Sequence, residues 1–251
     1  GYHDVGAAGV VHMISGFFAL GVLINLGPRV GRFNADGSAN DLPGHSIPMT
    51  IAGLMIIIIG FFGFLGACLL YPAPMAGSTA DAGWLTIYGG PATLSSFAFN
   101  TLMSFAGGII GAYFITKDPF WMMSGALAGI FCAAAGLDLW YPGTAFALGF
   151  LGGVVIPYAH KMITSWGIDD AVGAVSVHGV CGLIGVLAVG VLLGGYPPLT
   201  EGGETISFTG QLVGAIAMGL GGFIPGYVVS WILNKCGILR TSDAVQQIGV
   251  D

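Results

Sequence analysis

Charge is nearly missing from this chain: Asp, Glu, Lys and Arg make up 7% of its 251 residues, and only six of them are Lys or Arg. A soluble globular domain carries about a quarter charged residues. So little charge excludes a water-facing surface over most of the chain. A formal net charge of −6 also gives nucleic acid no basic face to bind. Cysteine is sparse as well. Cys68, Cys132, Cys181 and Cys236 lie in or beside apolar runs without CxxC spacing, which indicates neither a disulfide framework nor a zinc site and favours small packing residues. No nucleophile, base and orienter set is visible, so no enzyme, cofactor or metal centre is expected. The first residues have no basic n-region and no initiator Met, so they do not form a signal peptide, and the chain reads as a fragment or a processed product.

What is present is apolar. Hydrophobic residues make up 55% of the chain and glycine contributes 45 positions. Runs of about 17 to 25 apolar residues are long enough to cross a bilayer as helix. Seven occur, near 5–26, 47–71, 92–116, 120–136, 144–164, 170–194 and 209–234. They are continuously apolar, without the alternation of a transmembrane β-barrel, so helices are the remaining spanning element. The expected fold is all-α: a polytopic transmembrane helix bundle over residues 1–238, with residues 239–251 beginning a tail. The stretch GPRVGRFNADGSANDLPGH is a polar, turn-rich connector rather than a second domain.

If seven helices alternate, Arg29, Arg32, Lys117, Lys161, Lys235 and Arg240 all fall on one side. Cytoplasmic loops hold the Lys and Arg excess, so the C-terminus is expected inside and residue 1 outside. The other side carries Asp4, Asp81, Asp138, Glu201 and Glu204, either as solvated loop acids or as a field attractive to cations.

DVGAAGVVHM and DAVGAVSVHG share one spacing: Asp4 precedes His12, and Asp170 precedes His178, by eight positions. The first and sixth helices are an odd number of reversals apart and run antiparallel. Eight residues of helix descend about 12 Å, so both histidines are expected near the midplane of a core about 30 Å thick, within reach of each other. Two similar segments in opposite orientation also suit an inverted repeat, whose substrate sites lie at the repeat interface. Ionisable groups at membrane depth face a bundle interior or a cavity. The plainer reading is a packed core histidine for each, and for Asp4 and Asp170 a helix N-cap. His3, His45 and His160 read as ordinary interfacial or surface residues.

Glycines at helix-packing spacing, Gly125 with Gly129 and Gly179, Gly182 and Gly185 beside His178, suit close helix contact. Phe61 and Phe64, in GFFGFLGAC, share a helix face. That face suits core packing, a pore constriction or a ring surface for a cation.

These segments resemble the ammonium transporter family (Amt/Mep/Rh), from residue 4 to residue 251. DVGAAGVVH resembles its fifth helix, and IDDAVGAVSVHGVCGLIGVLAVG its tenth, with the twin histidines. LGPRVGRFNADGSANDLPGHSIPMTIAG is similar to the loop and sixth helix of the Amt branch, and ILRTSDAVQQIGVD to the start of its cytoplasmic tail. The resemblance implies a trimer of eleven-helix protomers in a membrane, each holding its own pore for ammonium or ammonia. The seven helices here would be the last seven. Four more would come from preceding sequence or a partner chain, together with one partner of the phenylalanine gate and most of the outer aromatic vestibule. By position, His12 and His178 would be the pore histidines, Asp4 the acid supporting outer recruitment, Phe64 a gate ring and Asp170 the acid at the cytoplasmic helix start. Against the family pattern GWFGFNxGS, Phe61 replaces Trp, Leu65 replaces Asn and Cys68 replaces the outer-site Ser. A thiol is a weaker hydrogen-bond partner than a hydroxyl.

The expected function is ammonium transport past the histidine pair. A sensor on the same scaffold, signalling to a cytoplasmic regulator through the C-terminal tail, is the alternative. A remote third is a redox protein with His12 and His178 as axial haem ligands.

Overall fold

The computed structural model describes residues 1–70, 84–88, 91–199 and 201–249. Among the described residues, seven helices are long and apolar enough to cross a membrane: α1 Ala8–Leu26, α2 Ile47–Gly66, α3 Leu94–Thr116, α4 Pro119–Gly136, α5 Pro142–Ser165, α6 Val175–Leu192 and α7 Phe208–Lys235. A short α8, Asp243–Ile248, follows. Asp81, the end of the second apolar run at residue 71 and the tail end at 250–251 lie outside the described residues.

The helix starts have local causes. Ser46, Thr93 and Ser207 each accept a backbone N–H from the first turn of α2, α3 and α7, and Asp118 accepts from Phe120 and Trp121 at the start of α4. Such caps satisfy N–H groups that have no partner within the helix. Proline near the first position of α2, α4 and α5 fits because its missing N–H would be unpaired there anyway.

The second apolar run extends further in the sequence than α2 does. Leu69–Leu70 forms β1 of a small antiparallel sheet, paired with β2 Trp84–Thr86, which in turn pairs with β3 Pro91–Ala92. Leu69 stands opposite Thr86. This sheet lies in the α2–α3 connection and leaves the helical architecture intact.

α3 packs on α4 and α5, α1 packs on α7, and α6 lies against α4 and α7. The α1 and α6 backbones meet where Gly16 faces Gly179: a Cβ on Gly16 would collide with the Gly179 backbone. α2 is different. It fully buries only Leu65 and leaves Ile56 and Ile59 each 70% exposed. In water such a face would be unfavourable by roughly 25 cal/mol per Å², whereas lipid tails or further helices cover it without that cost.

The chain start is fixed, not frayed. Gln211 Oε1 accepts the His3 backbone N–H, and its Nε2 donates to the carbonyls of His3 and Val186, both at 2.8 Å. Val5 and Gly6 donate to Ala135 and Ala134 at the end of α4.

Candidate functional site

Neither histidine-bearing helix begins as an α-helix. Ala8–Met13 in α1 and Val175–Val180 in α6 are π turns, one carrying His12 and the other His178. Single π turns inside α-helices are rare and concentrate at functional sites. Each is preceded by a left-handed residue, Ala7 at φ +63° and Gly173 at φ +75°. Three residues before that stands an aspartate whose side chain receives the free N–H groups. Asp4 Oδ2 accepts from Gly9 at 2.9 Å and Val10 at 3.0 Å. Asp170 accepts from Ala174 at 2.7 Å and Val175 at 2.8 Å. The repeated acid-to-histidine spacing therefore has a structural cause: the same cap, left-handed step and wide turn occur twice.

The two imidazoles meet, Nδ1 to Nδ1 at 3.3 Å. Two lone pairs or two N–H groups facing each other there would repel, so one ring donates and the other accepts, and the pair holds opposite tautomers. His12 Nε2 is buried without a partner. It is therefore a free donor or a free acceptor, whichever the shared proton leaves it. The surroundings are aromatic. Phe131 stacks on His12 with centroids 3.7 Å apart and reaches His178 at 4.5 Å. Phe61 and Phe64 stand 5.7 and 5.9 Å from His12. A haem between the histidines does not fit: its macrocycle would need the space that Phe131 and Phe61 fill around both rings.

At the acidic end, Asp4 is buried. Burial pushes its carboxyl above the usual range, against the hydrogen bonds from Val10, Gly9 and Tyr2 that pull it down. Its Oδ1 has no partner. Burial, followed by the Asp4 charge, raises the Cys68 thiol. Cys68 Sγ lies 3.7 Å from the Phe64 carbonyl, one turn back. Leu65 is fully buried, so an asparagine there would need polar partners inside the core.

His3 departs from the expectation of a surface residue. It is 2% exposed, its Nε2 lies 3.0 Å from Asp138 Oδ1, and its ring lies 4.5 Å from Tyr88. Asp138, read either as a solvated loop acid or as part of a field attractive to cations, has a side chain as enclosed as that of His3. The Tyr88 hydroxyl accepts from the Asp4 backbone, and burial pushes it up to about 12.

At the basic end, Arg29 forms a two-pronged contact with Asp169 at 2.7 and 2.9 Å, and Arg32 Nε stands 3.2 Å from the same carboxylate. Burial pushes Asp169 upward, but the Arg29 hydrogen bonds and both positive charges hold it below the usual range. Asp170, beside it, is raised by burial against the hydrogen bonds of Val175 and Ala174. Arg240 donates to the Leu26 and Gly27 carbonyls, tying the tail to the end of the His12 helix.

A profile of the Ammonium Transporter Family matches residues 1–251. The chain belongs to the ammonium transporter family. It is therefore a multi-pass integral membrane protein of a transporter family. Relatives include the ammonium transporters Amt1 and Amt2 of Methanocaldococcus jannaschii, 31% and 32% identical over the whole of this chain. The chain spans 59% and 55% of their lengths. Among solved structures, a protein titled Sensor Amt Protein superposes with a TM-score of 0.80 at 27% identity, over 99% of this chain and 59% of its own. Candida albicans Mep2 has a TM-score of 0.74 at 21% identity, over 97% of this chain and 53% of its own, and shares the fold.

Set within this family, His12, His178, Phe61 and Phe64 gather at one locus, while Asp4 and Asp170 each stand eight residues before their histidine, Asp4 at the acidic end and Asp170 at the basic end just before α6. Phe131 belongs to that locus, although its sequence signal is only one aromatic in an apolar run. His160 also lies in a cavity and is not a plain surface residue.

Proposed function

We propose that the protein carries ammonium across the membrane, giving up its proton on the way so that ammonia or its equivalent passes His12 and His178. The observation that carries this is the imidazole pair, joined Nδ1 to Nδ1 at 3.3 Å inside a phenylalanine cage, with His12 Nε2 left for a passing N–H or lone pair. Desolvation disfavours the charged form of an amine, so entry into this cage promotes proton loss. The pair accepts that proton on one ring, passes its shared proton across the Nδ1–Nδ1 contact and releases one from the other ring to ammonia or water on the far side, since each neutral imidazole offers one donor and one acceptor.

In this reading Asp4 acts through others: it fixes the first π turn and contributes negative charge at the outer mouth. Phe61 and Phe64 narrow the approach, and Cys68 stands at the recruitment position. Asp170 fixes the second π turn at the cytoplasmic end. Residue 1 is outside and the C-terminus cytoplasmic, because all six basic residues share that side. Four further helices, from the same polypeptide or a partner, cover α2 and complete a pore in each protomer of a homotrimer, with a cytoplasmic regulator reading the tail.

The test is ammonium-driven flux and current in vesicles containing the complete protein, beside protein-free vesicles. Saturable flux supports transport. Saturable ammonium binding without flux overturns it in favour of the sensor, which the thiol of Cys68 and the likeness to a solved sensor Amt protein favour as second reading.

A further inference from the structure

Beneath the second π turn lies a cavity of about 590 Å³ that the histidine pair does not use. Its walls come from the α1–α2 connection, the start of α4, the end of α5 and the residues before α6. His160 stands in one wall with Nδ1 buried and unpartnered, its ring 4.8 Å from the Trp121 indole. Trp121 in turn lies against Gly173, the left-handed residue that opens the His178 turn. Asp41, Asp118 and Asp170 also line the space. So do Arg29 and Arg32, but both face Asp169. Lys161, next along α5, is exposed.

We propose that this cavity is a second ammonium site at the basic mouth, in which His160 Nδ1 accepts one N–H of the ion and the Trp121 ring faces it. A neutral imidazole with Nε2 protonated leaves Nδ1 as an acceptor, and ammonium offers only donors. The charge balance sets the sign of the ligand: Asp41, Asp118 and Asp170 line the cavity against Arg29 and Arg32, and Asp169 beside those arginines adds a further negative charge. An aromatic ring attracts a cation through its face. The site lies below His178 in the direction of the Trp121 and Gly173 contact, so it holds the ion where it leaves the pair or enters from this side. The choice of ammonium as ligand rests on the transport reading.

The experiment labels histidine isotopically in the complete protein and titrates ammonium chloride against potassium chloride at equal ionic strength. The His160 signal, assigned by its loss in His160→Gln, should move saturably with ammonium and little with potassium. It should still do so in the His12→Asn/His178→Asn protein, which has lost the transport pair. A His160 signal that ignores ammonium, or follows potassium equally, overturns the site. This readout needs no flux, so a protein that carries nothing but shows the response refutes transport and keeps the site. In vesicles, His160→Phe should raise half-saturation from the basic side about 5-fold, the size of one lost hydrogen bond, with little change from the acidic side. His160→Gln, whose amide oxygen also accepts, should restore most of it. An equal change in both directions, or none, overturns the assignment.

Discussion

Ala7 and Gly173 hold the same left-handed backbone, φ +63° and +75°, each three residues after a capping aspartate and five before one of the paired histidines. The two halves of the site are thus built by one local device used twice, in helices that run in opposite directions. The two residues are not equivalent energetically. An L-residue in this region stores on the order of 1–3 kcal/mol, whereas glycine does not.

That asymmetry predicts opposite tolerance. Ala7→Gly relieves about 1–3 kcal/mol of strain but gives back about 0.4–1 kcal/mol through added freedom of the unfolded chain, leaving stability unchanged to about 2 kcal/mol higher. Gly173→Ala adds strain, and its Cβ would meet Ser176 Oγ at 3.1 Å, so about 1–2 kcal/mol should be lost. Thermal unfolding in detergent checks both; equal losses would mean the two turns do not share a backbone requirement.

The meeting of His12 and His178 is legible in the sequence, because helix count fixes direction and the Asp-to-His spacing fixes depth. The π turns are not. AGVVHM and VSVHGV contain nothing that distinguishes a wide turn from an ordinary one, since hydrophobic periodicity does not register one extra residue. Phe131 is hidden for a related reason: its role comes from tertiary placement against both rings. His3 misleads because it stands near the chain start, while its partner Asp138 is 135 residues away.

The His3–Asp138 contact should behave as a unit. Asp138→Leu leaves the His3 ring without its acceptor, costing about 1–3 kcal/mol. His3→Phe leaves a buried carboxylate without a partner and should cost more, about 3–5 kcal/mol. The double change should lose less than the sum of the two. Additive unfolding free energies across this cycle would break the pair into two independent residues.

Asp169 and Asp170 should have opposite pH signatures. Asp169, its burial offset by Arg29 and Arg32, has a folded pKa below the unfolded value. The unfolded state then binds more protons between the two values, so stability rises with pH there. This contribution is complete above the ordinary carboxylate range and is lost as pH falls through the lower folded value. Burial raises Asp170, so its contribution falls as pH climbs from the ordinary value through the raised one. Asp169→Asn should therefore lose about 1–3 kcal/mol near neutrality and little in acid. Asp170→Asn should flatten the decline above the ordinary carboxylate range. Melting temperature against pH decides; identical profiles for the two variants would contradict the signs.

The histidine pair gives the sharpest contrast between chemistry and packing. His12 and His178 touch through one hydrogen bond, and both rest on Phe131. Replacing either by Asn removes the titratable ring but keeps a polar side chain, so the partner's free Nδ1 costs about 1–3 kcal/mol of stability at most. Flux responds differently if the pair passes protons: one broken link stops the relay, and breaking the second adds little. His12→Asn and His178→Asn should each change ammonium-driven flux and current strongly, and the double variant should resemble the more severe single one. Phe131→Leu supplies the control for packing alone, since it loosens both rings while leaving them titratable. It should cost stability as a core change does, about 1–3 kcal/mol, and reduce flux less than either histidine change. Normal flux in the histidine variants with additive losses of stability would return both residues to a structural role in the core.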